Sequence, residues 1–356
     1  MGAAPDPARA FVATSGAQFS LAGAPFRFVG SNMYNAAGDP AVYECGPYMG
    51  DPERELDDWF RRARTEFDGQ VIRFWAFQSY TKGGTDWRAF DRVFRLANAH
   101  GLKVIPVLEN QWAACTQGDY KTDTWYADGY ARPYGAYPLS YREYVSRVVA
   151  RYADEPAIAA WMLMNEAEAK SPSGQANPDA LYSFAAEMSA TVKRIDRNHL
   201  VTLGVMGSGQ PGVAGNNFER LHALNTIDFL EYHDYGRNDE ALPGSETVRR
   251  YVDAQGRAQY VDTLASALLM ARQMNKPLLV GESGMTTCGP LPGWQPETAE
   301  SRAQKLAAKL ESFFANGGAG YLVWTWNPRT ACDHDFTSGD PLNGVLSSYA
   351  ARLRGS

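Results

Sequence analysis

Short apolar runs alternate with longer amphipathic stretches through almost the whole of this chain, and few architectures accept that rhythm. The runs Phe26–Gly30, Gln70–Trp75, Lys103–Leu108, Ile158–Met164, Leu200–Val205, Ile227–Glu231, Leu278–Gly281 and Gly320–Trp324 have the length and composition of buried strands. Between them Glu53–Phe67, Asp86–His100, Ser140–Tyr152, Asp179–Ile195, Tyr260–Met274 and Ala299–Asn316 carry apolar residues at helical spacing. The segment Asn216–Leu224 leaves room for only a short helix. A strand, a helix and a second strand form a crossover that sets the two strands parallel, with both sheet faces covered. Eight such units predict an α/β fold of the closed (β/α)8 type, a TIM barrel with long loops at its C-terminal face. The rival open sheet carries a glycine-rich phosphate turn after its first strand, and Gly30-Ser-Asn-Met-Tyr34 is not one. Ahead of the barrel, Phe11–Leu21 reads as a β-hairpin turning at Ser15-Gly16, placed as a lid on the N-terminal end. Residues 1–10 are expected to be a tail and 11–356 one catalytic domain.

Composition narrows the partners. The net charge of −6 comes with no basic stripe, so a nucleic-acid partner is not expected. No apolar stretch reaches about 18 residues, so no membrane span is expected either. A monomer is expected. The opening Met1-Gly-Ala-Ala-Pro-Asp-Pro7 has neither the basic nor the apolar part of a signal peptide and looks like a trimmed, mature start, in keeping with a secreted or extracytoplasmic protein. Cys45, Cys115, Cys288 and Cys332 permit three pairings. All four fall in loops at the strand ends; Cys288 with Cys332 on adjacent loops, leaving Cys45 with Cys115, is the favoured pattern, and such bridges persist in oxidising compartments. The 9 Trp and 19 Tyr exceed what a core needs, and Trp112, Trp125, Tyr126, Tyr134, Tyr137 and Trp294 sit in polar surroundings where rings could stack on sugars.

Barrel chemistry sits at the C-terminal strand ends and the loops that follow. There the sequence places Asn32, Arg73 with Trp75, Glu109 with Asn110 and Trp112, Asn165-Glu166, His233 with Tyr235, Glu282, and Trp324 with Trp326. A carboxylate at the mouth of a buried strand costs desolvation energy and adds nothing to the core, so Glu166 and Glu282 point to chemistry. Strands four and seven face each other across such a barrel. Two carboxyls over one hollow are what glycoside hydrolysis requires, one to protonate the departing oxygen and one to attack or to activate water.

In this order the residues resemble the clan A glycoside hydrolases, most closely glycoside hydrolase family 5. The likeness is strongest at Val71-Ile-Arg-Phe-Trp-Ala-Phe77, Tyr152–Glu166, Tyr232-His-Asp-Tyr235 and Lys276–Glu282 and covers nearly the whole chain. The resemblance implies a retaining double displacement with Glu282 as nucleophile and Glu166 as acid/base. Arg73 would hold Glu282 ionised, and Glu166 would have its pKa raised by burial and by Glu282. Asn165 would bind the sugar 2-hydroxyl, His233 and Tyr235 would steady the carboxylates, and Trp324 would floor the subsite of the reacting sugar, with Trp75, Asn110 and Trp112 also lining the substrate site. Phe28–Tyr34, Ile72–Phe77 and Glu109-Asn-Gln-Trp112 look like the β-mannanase branch, which implies β-1,4-mannan. Ala167 stands where these relatives continue with Pro, and Thr116–Pro138 and Ala331–Asn343 match no mannan cleft. An exo-acting enzyme on a β-mannoside, β-glucoside or β-galactofuranoside is therefore the alternative, and an inactive carbohydrate-binding barrel the next.

Other chemistries fit poorly. There is no Gly-x-Ser-x-Gly elbow of a serine ester hydrolase. Asp333-His-Asp335 with Asp340 lacks calcium-loop spacing and reads as turn and helix-cap acids; no metal or cofactor is expected. His199 falls at the foot of a strand and reads as structural.

Overall fold

The computed structural model describes residues 9–46, 49–207, 209–235, 250–252, 258–260, 263–288, 296–329 and 332–355. Eight parallel strands form one sheet: Phe28–Asn32, Val71–Trp75, Lys103–Val107, Ala160–Met162, Leu200–Thr202, Leu230–Asp234, Leu278–Ser283 and Gly320–Val323. Strand eight pairs with strand one, and the order runs round to strands five and six at the two edges of the ladder. That last seam is bonded as well. The Asp228 amide donates to the Val201 carbonyl at 2.8 Å and the His233 amide to the Met206 carbonyl at 3.0 Å. The sheet thus closes into the expected barrel.

Helices cover its outside for the reasons the sequence suggests. In Tyr141–Tyr152 the buried residues Tyr141, Tyr144, Val145, Val148, Val149 and Tyr152 recur every three or four positions and make one apolar stripe. Ser140 starts this helix by accepting the Glu143 amide, and Asp51, Asn177, Thr263, Thr298 and Asp340 cap other helices in the same way. The helix predicted from Tyr260 starts only at Leu264, because Ala258–Tyr260 pairs with Arg250–Val252 as a small hairpin. A further helix, Pro341–Arg354, follows strand eight. Asp340 caps it, a role the sequence suggested for that acid.

The N-terminal hairpin, Val12–Ser15 with Gln18–Leu21, turns at Gly16-Ala17, and a short third strand, Ala24–Pro25, joins it. Gly16 has φ +61, a left-handed conformation that a side chain disfavours. The hairpin drives Phe19 into the foot of the barrel, with ring centroids 5.6 Å from Phe28 and 5.2 Å from Phe229. His199 lies at this same end, buried, its Nδ1 2.6 Å from Asp196 and its Nε2 2.9 Å from the Glu155 carbonyl. Both disulfides, Cys45–Cys115 and Cys288–Cys332, form at the opposite end. No described helix is long and apolar enough to cross a membrane.

Candidate active site

The polar strand ends converge on a cavity of about 520 Å3 whose walls include Trp75, Asn110, Trp112, Asn165, Glu166, Tyr235, Glu282 and Trp324. Arg73 lies beneath, fully buried, and organises three strands at once. Its Nη1 donates to Glu282 Oε1 at 2.5 Å and to Asn32 Oδ1 at 2.9 Å, and its Nη2 donates to Asn165 Oδ1 at 2.6 Å. Its guanidinium also lies 4.9 Å from the centre of the Trp75 ring. A planar guanidinium with several fixed donors, which can reach three acceptors at once, suits this task better than a lysine.

Glu166 receives Trp112 Nε1 on Oε2 at 2.5 Å and meets His233 Nδ1 through Oε1 at 2.8 Å. Its φ of +54 is rare for a side-chain-bearing residue, a conformation that costs about 1–3 kcal/mol and marks functional sites. Gln210 holds that turn by donating to the Glu166 carbonyl at 2.9 Å. Glu282 accepts the Tyr235 hydroxyl at 2.9 Å on the oxygen that lies 3.6 Å from His233 Nδ1. Just before it, the pairing of strands six and seven shifts register between Val280 and Glu282. Such an irregularity re-aims the side chain that follows.

One ligating atom each of Glu166, His233 and Glu282 lies within 4.8 Å of the other two. Each of these groups is also engaged by Arg73, Trp112, Tyr235 or Glu231. The electrostatics differ from the sequence expectation. Burial pushes Glu166 upward, but the His233 imidazole and the Trp112 N–H outweigh it and hold the carboxyl below its ordinary range. Glu282 is raised: burial dominates, and His233 and Arg73 offset it only in part. Burial also opposes charge on His233, yet Glu282, Glu231 and Glu166 together push it up to about 10. The expectation had Glu166 raised and Glu282 lowered; it had His233 steady the two carboxylates, and the imidazole does lie within reach of both.

Asn165 Nδ2 donates to Asn110 Oδ1 at 3.0 Å, and Asn110 donates in turn to the Ala114 carbonyl at 2.8 Å. Glu109, expected beside them at the end of strand three, does not line the cavity. It is buried against Lys121 Nζ at 3.2 Å, the Asn110 amide and the Tyr134 hydroxyl, and so fixes the loop that presents Asn110 and Trp112. Trp125, Tyr126 and Tyr137 are buried rather than offered to a sugar. Trp125, Tyr126 and Tyr134 pack on Phe184 or on one another, because a loop this long needs an apolar cluster of its own. Trp294 lies outside the described residues. Tyr34 and His334 also line the cavity, a place the sequence reading did not give them. Tyr34 stacks on Trp324 with centroids 5.3 Å apart, and His334 meets the Tyr235 ring edge-on at 5.3 Å. A cis peptide joins Trp324 to Thr325.

The family described as "GH family 5 beta-mannosidase-like" matches residues 91–328. This chain belongs to that glycoside hydrolase family. It is 30% identical over 278 residues to a probable mannan endo-1,4-beta-mannosidase C of Aspergillus terreus, a match spanning 64% of each chain. It is 28% identical over 365 residues to mannan endo-1,4-beta-mannosidase 7 of Arabidopsis thaliana, covering 89% of this chain and 78% of the relative. The fold is that of the endo-1,4-beta-mannanase of Rhizomucor miehei, with a TM-score of 0.70 at 19% identity over 97% of this chain and all of the other.

Proposed function

We propose that this chain hydrolyses β-1,4-mannan at internal linkages with retention of configuration, using Glu282 as nucleophile and Glu166 as acid/base. The observation that carries the reading is the approach of these two carboxylates, with oxygens within 4.8 Å of each other at one cavity. Retaining glycosidases hold their carboxyls about 5–5.5 Å apart, whereas inverting ones need about 6.5–9.5 Å to admit a water. In the first half-reaction Glu282 bonds to the anomeric carbon as the glycosidic C–O bond breaks and Glu166 gives a proton to the departing oxygen. In the second, Glu166 takes a proton from water, the hydroxide attacks the same carbon, and Glu282 leaves. Arg73 and Tyr235 carry the charge that returns to Glu282, Asn165 meets the sugar 2-hydroxyl, and Trp324, with Tyr34 and Trp75 behind it, presents an apolar face to the ring. No cofactor enters this scheme.

The mannan assignment rests on the family group and on what its relatives are named for. Ala114 and Cys115 at the cavity wall, pinned by the bridge to Cys45, favour a second mode in which the enzyme works from a chain end. Residues 11–356 would be the catalytic domain of a monomer, and the two disulfides suit an extracytoplasmic site. Product analysis on β-mannans, β-glucans and aryl β-glycosides decides sugar and mode together: internal cuts in mannan are expected, and release of single sugars from chain ends would support the second mode. Glu166→Ala and Glu282→Ala are each expected to abolish turnover with the fold intact, and a 2-fluoro glycoside should label Glu282. Substantial activity in either variant, or a label elsewhere by mass spectrometry, overturns the assignment.

A further inference from the structure

We infer that Glu231, a third carboxylate buried inside the barrel below the other two, is a positioning residue that acts through His233 to store the proton Glu166 delivers. The inference rests on the reading of Glu166 as acid/base. Glu231 is fully buried, with Oε1 3.1 Å from His233 Nε2 and Oε2 accepting the Val205 amide at 2.9 Å. Its place is made by the neighbouring strand. A Cβ on Gly281 would stand 2.1 Å from Glu231 Oε1, at the point where the strand pairing shifts register.

A neutral glutamine could accept the Val205 amide equally well and join strands five and six without the cost of a buried charge. What only a carboxylate adds is negative charge facing the imidazole. Nε2 must then carry a hydrogen, which turns Nδ1 toward Glu166 Oε1 at 2.8 Å and Glu282 Oε2 at 3.6 Å. His233 is therefore faced by three carboxylates, from strand six itself, from the turn after strand four and from strand seven. The guanidinium nearest them, Arg73, is committed to Glu282 and lies 3.9 Å from Glu231; the Tyr235 hydroxyl donates to Glu282. The upward shift of His233 agrees with this geometry.

The proton count closes. At rest the Glu166–His233 pair holds one proton beyond the Nε2 hydrogen, carried on Nδ1 and donated to Oε1, and its titration belongs to the pair. When the glycosidic bond breaks, that proton passes through Glu166 to the leaving oxygen, and His233 is left neutral, its Nε2 hydrogen still donated to Glu231. Water returns one proton along the same path as the glycosyl ester is hydrolysed.

The test is Glu231→Gln, assayed for kcat/KM against pH on a β-1,4-mannan oligosaccharide. Loss of the charge is expected to move the basic limb at least about one pH unit to lower pH. Substrates that need the proton should also suffer more than an aryl glycoside with a dinitrophenolate leaving group, which needs none. An unmoved basic limb, or equal losses on both kinds of leaving group, overturns the inference. Nitrogen-15 histidine NMR of the wild-type protein gives a readout independent of that variant's folding, with the His233 signal assigned by its loss in His233→Asn. Both ring nitrogens protonated at pH 8 is expected, and a neutral ring there overturns the proposal. A wild-type protein inactive on every β-glycoside would instead overturn the proposed function itself.

Discussion

Two buried histidines, one at the foot of the barrel and one at its mouth, are each tied to a carboxylate a few residues away. His199 meets Asp196 at 2.6 Å, and His233 meets Glu231 at 3.1 Å. At the foot the contacts close on themselves. Asp196 also takes the Trp161 N–H and the amides of Asn198 and His199, while the second His199 nitrogen ends on a backbone carbonyl. At the mouth the second nitrogen ends on Glu166 and Glu282, side chains that face a cavity. The same pair of residue types is a staple where its partners are all satisfied locally, and a proton device where the chain of contacts ends at open space.

Replacing each histidine separates the two roles. His233→Asn should lower kcat/KM on mannan by about 10²–10⁴-fold per folded molecule, the range for losing a participant in acid–base catalysis; a loss under tenfold would put His233 on a par with His199. His199→Asn should leave activity per folded molecule unchanged and lower stability by about 1–3 kcal/mol, as a buried acceptor loses its donor, which urea denaturation measures. Trp112→Phe keeps the ring but removes the N–H on Glu166. A drop of about tenfold in kcat is expected for one hydrogen bond to a charged group, with the Glu166 pKa rising because a group that lowered it is gone. A further prediction concerns pH. His233 is raised to about 10 from 6.5, so its contribution to stability is full below pH 6.5 and is lost as the pH rises through about 10. The stability gap between the wild type and His233→Asn should therefore narrow across that interval, and a constant gap would show that the ring's charge does not stabilise the fold.

Barrel strands with continuous apolar runs, such as Val71–Trp75 and Lys103–Val107, are legible within a residue or two because both faces are buried. Strand six is read three residues early at each end. Its inner residues Glu231 and His233 and its outer Asp234, paired with Lys309 on the helix behind, are polar and hide the pattern. Glu231 is lost for that reason: nothing in Phe229-Leu-Glu-Tyr-His233 marks the acid as interior. The last helix is missed although Asp340-Pro341 is a start signal, because Gly344 and two serines blur its apolar stripe. Arg73, Asn165, Glu166, His233, Tyr235, Glu282 and Trp324 could be named because each sits at a strand end. Tyr34, Gln210 and His334 come from loops whose paths only the folded chain reveals.

Phe19 gives the plugged foot of the barrel a consequence for traffic. With Phe19 packed on Phe28 and Phe229 at the floor, the water that would end the proposed reaction would enter by the same open cavity through which the first sugar fragment departs. A fragment that lingers there blocks hydration and is itself placed to accept the tethered glycosyl group. Under the proposed double displacement, a longer stay of that fragment would shift the balance from cutting chains toward rejoining them.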